Sequence, residues 1–320
     1  MKEYGGFIQL ELPKQKEYFD TVEEKDILRL NCGRSTFYCA AKDAKIKKIY
    51  MPYLNCLDSP TPFLDLGIQV EYYYLEEDLT PKDVFLKENE AILWVNYYGN
   101  ASENIKQKVL NQYKTLIIDN CHAFFSPPIK NVYNCYSTRK FFGVADGAYL
   151  IKDNLEKIEL SESNSADATL FLLKTIELGT NAVYQENLKN EVRVAKTVSK
   201  MSPLTRRILS SINYETVREI RYRNLLMLHK NLNDINEFKV NLESKTHMYY
   251  PLLVSQESLR SRLVANKIYT PTWWKHVPEQ CHYRKLETKL SNYMLMIPID
   301  QRYDENDMID IATIIRNNLE

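Results

Sequence analysis

Short apolar runs alternate with longer amphipathic stretches through the first half of the chain. Four of the runs have the length and apolar character of β-strands: 46–52, 68–73, 91–97 and 116–119. Between the last two, Ile105, Val109 and Leu110 recur at the spacing of one helical face. Apolar strands that alternate with amphipathic helices are typical of a mostly parallel sheet with both faces covered. The first half therefore predicts an α/β fold.

The pattern continues through two more predicted strands and then changes. The strands lie at 132–137 and 147–151, on either side of a loop at 138–146. Long helical patterns follow, separated by a break near Ser202 and Pro203: 168–201 and 214–232.

The last part of the chain returns to shorter elements. They are predicted as a strand at 247–254, a helix at 257–266, a strand at 293–299 and a helix at 305–319. We therefore expect a large domain over residues 1–200 and a smaller C-terminal α/β domain over residues 201–320.

Composition narrows the class of protein. The chain has 320 residues, enough for one large domain or two ordinary ones of roughly 100 to 200 residues each. Apolar residues make up 44% and charged residues 26%, which excludes wholesale disorder. Forty-two basic residues balance forty-two acidic ones, so no net charge attracts nucleic acid or an anionic membrane. Glycine is scarce and no G-x-G-x-x-G occurs, which disfavours a Rossmann or Walker nucleotide loop.

The sequence also leads to predictions about the cellular compartment and about metal binding. The amino terminus carries charge and glycine where a signal peptide needs a continuous apolar region, and no apolar stretch approaches the ~20 residues that cross a bilayer. Six cysteines show no C-x-x-C pairing, as is typical of reduced interior thiols. Four of the five histidines show no ligand spacing such as H-E-x-x-H. We therefore expect a cytoplasmic protein with no membrane span and no metal site.

Three segments place polar side chains near strand ends or helix starts, where open α/β sheets bind ligands. The first is a small polar turn ahead of a helical run, whose backbone amides suit a phosphate. The second closes an apolar strand with a carboxylate, and the third places a lysine among aromatic and small residues. In chain order they contain Gly33, Arg34 and Ser35, then Asp119 and His122, then Ser137 and Lys140.

Each candidate also has an ordinary structural interpretation. Asp119 could cap a helix, His122 could be an interior imidazole, and Lys140 could lie on the surface. Together they fit one chemistry better. An aldehyde cofactor such as pyridoxal phosphate (PLP) requires an amine for a Schiff base, a carboxylate beside the pyridine nitrogen, a flanking ring or imidazole, and a phosphate cup. The chain has candidates for all four.

The same segments resemble those of the DegT/DnrJ/EryC1/StrS family of sugar aminotransferases, which are PLP enzymes of the aspartate aminotransferase fold, fold type I. Asp119 with His122 is similar to the family's Asp-x-x-Gln/His element. The string Ser-x-Arg-Lys at 137–140, followed by Ala-Asp-Gly-Ala at 145–148, resembles its lysine element. Weaker similarity covers three further stretches: 51–53, 96–99 and 262–274. The resemblance therefore extends over nearly the whole chain.

The resemblance implies a role for each candidate. Lys140 would hold PLP as a Schiff base and act as the base, with its pKa lowered toward neutrality by an apolar or cationic setting. Asp119 would keep the pyridine nitrogen protonated, and His122 would hydrogen-bond the phenolic oxygen or cover the ring. The other cofactor-binding candidates are the phosphate ligands Gly33, Arg34, Ser35 and Ser137, the ring-covering Tyr53, and Asn181, which would reach across a subunit interface.

The chain also departs from the family pattern. A Cys-Gly-Arg-Ser turn at 32–35 replaces Ser-Gly-Thr, Ala-Asp-Gly-Ala replaces Gly-Glu-Gly-Gly, and Cys56 stands where an aromatic commonly stacks on the cofactor. The family implies a glutamate donor, a keto sugar nucleotide acceptor, a homodimer, and a setting in polysaccharide biosynthesis. Two alternatives are a non-catalytic relative that keeps the fold and a different PLP reaction on the same scaffold.

Overall fold

The computed structural model describes residues 4–320, and its centre is a seven-stranded sheet. The strands are β1 (Ile27–Leu30), β2 (Lys48–Pro52), β3 (Gln69–Tyr73), β4 (Glu90–Val95), β5 (Leu116–Asp119), β6 (Tyr133–Ser137) and β7 (Ala148–Ile151). They lie in the order β1-β7-β6-β5-β4-β2-β3. The pairs from β6 to β3 are parallel, and β7 runs antiparallel to both of its neighbours. The predicted mostly parallel sheet is confirmed.

Strand β1 is absent from the sequence-based prediction. Its four residues are too few to show a period, and the strand is defined by its pairing with β7, where Leu30 lies opposite Ala148. On the other side of β7, Ser137 also lies opposite Ala148. Because β1 and β6 both run antiparallel to β7, their carboxyl ends lie at the same edge of the sheet.

Helices pack on the sheet and also form much of the C-terminal part of the chain. Those of the first 200 residues are α1 (Gly33–Ala44), α2 (Thr61–Leu64), α3 (Glu103–Gln112), α4 (Ala166–Leu178) and α5 (Tyr184–Ala195), with 3-10 helices at Tyr97–Gly99 and Asn181–Val183. The later helices are α6 (Pro203–Leu209), α7 (Tyr214–Leu232), α8 (Leu259–Ala265), α9 (Val277–Gln280), α10 (Lys285–Tyr293) and α11 (Glu305–Asn317). A separate antiparallel pair consists of β8 (Tyr250–Leu253) and β9 (Met294–Ile297).

The single helix predicted over 168–201 is wrong in its extent. α4 ends at Leu178, and its C-cap residue Gly179 has a φ of +79°, a conformation that only glycine adopts without strain. A 3-10 turn and α5 follow, and the chain is not helical again until α6. The predicted break near Ser202 is confirmed, because the Ser202 hydroxyl accepts a hydrogen bond from the Thr205 amide at 3.1 Å and so begins α6.

Separate hydrophobic cores support the two parts of the chain. The two faces of the sheet carry different cores, with Trp94 in one and Leu93 in the other. A further core spans Leu225 to Ile315 and belongs to the C-terminal part alone. An aromatic core joins both parts and includes Tyr136 and Leu209. The C-terminal α/β unit thus has a core of its own, and the boundary at residue 200 stays a prediction.

Within residues 4–320, no helix has both the length and the apolar character needed to cross a bilayer.

Candidate active site

The carboxyl ends of three strands bring the candidate residues together. β5 ends at Asp119 and the neighbouring β6 ends at Ser137. The turn after β1, which begins α1, reaches the same edge because Leu30 and Ser137 flank one residue of β7. In open α/β sheets this edge is the one that binds ligands. The three segments that the sequence singles out therefore converge.

Asp119 is buried at the centre of this edge. Its Oδ1 accepts a hydrogen bond from the Cys121 amide at 2.8 Å, and its carbonyl oxygen accepts one from the Asn96 amide at 3.0 Å. Burial, and next the Asp119 carboxylate, raise the pKa of the Cys121 thiol well above its usual value.

The Lys140 amine interacts electrostatically with that carboxylate. The Lys140 side chain is half-buried, and its Nζ lies 5.6 Å from the centroid of the Trp273 ring. Burial lowers the pKa of the amine, but two nearby thiols and the Asp119 carboxylate raise it by more, so the pKa lies above its usual value. The expectation of a lowered pKa is therefore wrong for the free amine, because a negative group faces it. Lys140 has no hydrogen bond or ion pair with any described residue, which leaves its amine available to a ligand.

His122 is a neutral, stacked imidazole beside the lysine. Its ring stacks on Trp273, with centroids 4.7 Å apart and planes 18° apart, and lies nearly parallel to the Tyr98 ring at 6.2 Å. Burial and then the positive charge of Lys140 lower the pKa of His122 well below its usual value. Its Nδ1 accepts a long hydrogen bond of 3.5 Å from the Tyr98 amide, so the ring proton is assigned to Nε2. His122 can therefore donate a hydrogen bond without carrying charge.

The first turn of α1 offers backbone amides to an anion. Cys32 occupies the N-cap position and makes no side-chain capping bond. Gly33 packs against the loop after Asp119, since a Cβ at Gly33 would lie 3.2 Å from the Cys121 Sγ. Uncapped amides at a helix start suit phosphate. The Ser137 hydroxyl, at the end of β6, makes no hydrogen bond within the part of the chain that the structure describes, so it can also donate to an anion.

Two other phosphate candidates in the same turn are engaged elsewhere. The Arg34 guanidinium forms an ion pair with Asp58, in the loop after β2. Ser35 donates its hydroxyl proton to Asn31 Oδ1 at 2.6 Å, and its amide bonds to the Cys32 carbonyl at 3.1 Å. The arrangement of this turn therefore favours Gly33 over Ser35 as a phosphate ligand.

The remaining two candidates do not meet Lys140 in this chain. Tyr53 stacks on Tyr72 and Tyr74, with ring centroids 5.2 and 4.8 Å away, beside the outer strand β3. Asn181 is exposed at the first residue of its 3-10 helix. A role for Asn181 across a subunit interface stays a prediction.

Asp146 has a structural role that the sequence did not suggest. This buried carboxylate accepts hydrogen bonds from the Ser202 amide at 2.9 Å and the Ser202 hydroxyl at 2.8 Å, at the start of α6. At the next position a Cβ on Gly147, whose φ is +121°, would lie 2.4 Å from the Thr138 Oγ1. The Ala-Asp-Gly-Ala string therefore closes the lysine loop against α6.

Arg221, on α7, is buried, although clusters of arginines on a helix usually form a solvated face. Its side chain is 4% exposed and packs its guanidinium on the Phe141 ring, next to Lys140 in the chain. The signal was present in the helical spacing. Position 221 is four residues after Val217 and four before Leu225, both of which are buried.

The functional groups at this edge of the sheet are of the types that bind PLP. An available amine, a buried carboxylate, a neutral imidazole N–H and uncapped helix amides are the groups that the cofactor requires. They come from three segments of the chain. Electrostatic interactions link Lys140 with Asp119 and His122, and Gly33 packs against the Cys121 side chain. We conclude that the residues fit this cofactor.

Neither a protein-family model nor a curated protein sequence matches the chain. Solved structures do match it. Helicobacter pylori PseC, an aminotransferase involved in the biosynthesis of pseudoaminic acid, has a TM-score of 0.62 at 12% identity, covering 93% of this chain and 87% of PseC. A DegT DnrJ EryC1 StrS aminotransferase from Brucella abortus has a TM-score of 0.59 at 14% identity, with coverages of 93% and 86%.

A Streptococcus pneumoniae protein solved in apo, PLP and PMP forms matches in its apo form with a TM-score of 0.64 at 11% identity, covering 91% of this chain and 85% of that protein. At identities this low, the similarity establishes the fold alone. The chain has the fold type I architecture of these aminotransferases, as the sequence predicted.

Proposed function

We propose that this protein is a PLP-dependent aminotransferase that moves an amino group from glutamate to a keto sugar nucleotide. The observation that carries the proposal is the electrostatic interaction of the Lys140 amine with the Asp119 carboxylate at the ligand-binding edge of a fold type I sheet. The fold shared with sugar aminotransferases supports the same choice.

Lys140 would bind the cofactor aldehyde through its amine, and Asp119 would hold a proton on the pyridine nitrogen. When bound, PLP supplies an electron sink that stabilises negative charge on the carbon carrying the substrate amine. Lys140 would move the proton to and from that carbon. The neutral His122 would donate its Nε2 proton to the phenolic oxygen.

The raised pKa of Lys140 bears on how the lysine becomes a base. The negative charge of Asp119 is one cause of that raised pKa. Asp119 would share its charge with a pyridinium partner, and the pKa of Lys140 would then fall toward the range in which an amine accepts protons near neutral pH. The same carboxylate would thus control both the ring nitrogen and the base.

The phosphate would be held by the amides of the first turn of α1 and by the Ser137 hydroxyl. Gly33 gives an anion close access to those amides because it has no side chain. Trp273, which already covers Lys140 and His122, is the aromatic side chain placed to pack against the cofactor ring. It would take the role for which Tyr53 was the sequence-based candidate.

The donor, the acceptor and the assembly follow from the resemblance and are part of the proposal. Glutamate is the expected amino donor, and a nucleotide-linked keto sugar the expected acceptor. A homodimer is expected because enzymes of this fold generally build the site between two subunits, and Asn181 would then contribute from the partner.

The proposal is tested by loading the purified protein with PLP. We expect a visible absorbance band, fixation of the cofactor by borohydride, and a modified peptide that carries Lys140. The Lys140→Arg variant keeps the charge but should lose the band, whereas Lys130→Arg, an exposed lysine, should retain it. Glutamate should discharge the band of the wild-type protein. Absence of an adduct, or an adduct on another lysine, contradicts the proposal.

A non-catalytic relative that keeps the fold is the second candidate. The engagement of the Arg34 and Ser35 side chains away from the edge favours it, because both would otherwise be phosphate ligands. The same experiment separates the two. An adduct at Lys140 that glutamate does not discharge would support a PLP-binding protein without transamination.

A further inference from the structure

The smaller domain reaches the lysine loop through one buried arginine. Arg221 lies on α7, and its Nη2 donates to the Met248 carbonyl at 2.5 Å while its Nη1 donates to Gln301 Oε1 at 3.0 Å. Its guanidinium carbon lies 4.6 Å from the centroid of the Phe141 ring. Phe141 directly follows Lys140, so this cation contacts the segment that carries the candidate catalytic amine.

Within residues 4–320, no carboxylate forms an ion pair with Arg221. Asp300, whose charge acts on Arg221, is bound by Arg302 through two hydrogen bonds of 2.7 and 2.8 Å. Burial lowers the pKa of Arg221 to about 10, so the guanidinium stays charged at neutral pH. Its Nε has no hydrogen-bond partner among residues 4–320. Burying a charge in this way costs stability, which argues for a role other than stabilisation.

Gln301 extends the contact to the main chain of the loop. Its Oε1 accepts from Arg221, and its Nε2 donates to the Phe141 carbonyl at 3.0 Å. From the other side, the amides of Phe141 and Phe142 bond to the Thr138 carbonyl at 3.0 and 2.9 Å. The turn that presents Lys140 is therefore held from both domains, and Gln301 is the hydrogen-bonded link on the small-domain side.

We propose that Arg221 and Gln301 are positioning residues through which the smaller domain fixes the Lys140 turn. Their hydrogen bonds and the ring contact determine where the amine stands relative to Asp119. Neither residue needs to touch the cofactor or the substrate. The inference depends on the proposed function only for the identity of the reaction that Lys140 performs.

Two variants test the proposal by different routes. Arg221→Met removes both hydrogen bonds and the charge while keeping an apolar stem on Phe141. Gln301→Glu retains an oxygen for Arg221, replaces the N–H that reaches the Phe141 carbonyl by a second oxygen, and adds a negative charge beside Arg221. The control is Arg218→Met, on the same helix, whose ion pair with Glu215 at 3.7 Å lies nearer the surface.

Two measurements are made on the cofactor-free protein. Amide hydrogen exchange, followed by mass spectrometry, should be about fivefold faster in the 138–146 peptide of both variants. Gln301→Glu loses the hydrogen bond to the Phe141 carbonyl, and Arg221→Met loses the bond that orients Gln301 and the cation on the Phe141 ring. The rate at which acetic anhydride acylates Lys140, relative to Lys130, should shift in the same two variants. The exchange of the β5 peptide reports whether the fold is intact and should stay at the wild-type rate.

A third measurement uses the PLP-loaded protein. The pH at which the visible band changes should move in both variants and stay unchanged in Arg218→Met. The proposal would be overturned if both variants exchanged amide hydrogens and were acylated at the wild-type rates. It would also be overturned if Arg218→Met changed these rates as much as the two variants do. If Arg221→Met does not fold, Gln301→Glu decides alone. If the wild-type protein forms no adduct at Lys140, the proposed function fails, while exchange and acylation still decide the positioning role.

Discussion

Acidification should destabilise this protein through a buried histidine, His247. The side chain is 3% exposed, and its Nε2 lies 3.1 Å from Asn100 Oδ1. The orientation of Asn100 is set by its Nδ2, which donates to the Lys239 carbonyl at 3.0 Å, and Oδ1 also accepts from the Asn241 amide at 2.7 Å. Nε2 therefore carries the ring proton. Nδ1 is buried and has no hydrogen-bond partner in the described chain, so a second proton there would be an unpaired buried charge.

The size of the expected loss in unfolding free energy follows from the pKa of His247. Burial, with a smaller effect of His229, lowers the pKa of His247 from 6.5 to about 3. Between these two values the unfolded chain binds a proton that the native state does not, so stability falls as the pH falls through 6.5. One such group costs about 1.4 kcal/mol of unfolding free energy between about pH 7.5 and about pH 5.5. The lowered pKa of His122 adds an effect of the same sign.

The assay compares urea unfolding of the wild-type protein and His247→Gln at the two pH values. Glutamine does not titrate in this range, and its amide can still donate to Asn100. The variant should lose about 1.4 kcal/mol less stability on acidification than the wild-type protein does. His282→Gln, at an exposed position, controls for the loss of an imidazole. Equal losses in the wild-type protein and His247→Gln would refute the reasoning, since His247 would then titrate alike in both states.

Two further substitutions test how the loops around the site are held. Gly99→Ala places a Cβ 2.7 Å from one backbone carbonyl oxygen and 2.9 Å from another, at a φ of +74°, and should cost about 2 kcal/mol or more of unfolding free energy. Gly143→Ala places a Cβ with no atom of the described chain within 4 Å and should leave the urea midpoint nearly unchanged. A similar midpoint for the two variants would contradict the steric argument. Asp146→Ala leaves the buried donors of Ser202 without an acceptor and should cost about 3 kcal/mol, measured by the same unfolding assay. Asp153→Ala is the control. An equal loss of unfolding free energy in that variant would exclude the proposed role of Asp146 as the acceptor for Ser202.

The central strands could be predicted because their signal is local. β4 and β5 are continuous apolar runs ending in polar residues, and such runs form parallel strands when both faces of the sheet are covered. β1 has only four residues and is a strand because β7 lies beside it. α4 and α5 share apolar periodicity across Gly179, and that pattern contains no information on whether glycine will adopt a positive φ. Local patterns therefore predicted the elements better than their ends.

The sequence by itself determined the chemistry available to the site. Asp119, His122 and Lys140 stand in strings whose spacing relative to strand ends places them at one edge of any parallel sheet built in this order. What only the tertiary structure decided is which side chains surround the lysine. Trp273 contacts Lys140, and Arg221 and Gln301 contact its neighbour Phe141. The raised pKa of the amine and the burial of that arginine both depend on distances between segments that are remote in sequence. A linear pattern can predict which face of an element is buried, but the charges and hydrogen bonds that meet that face are defined only when the elements pack.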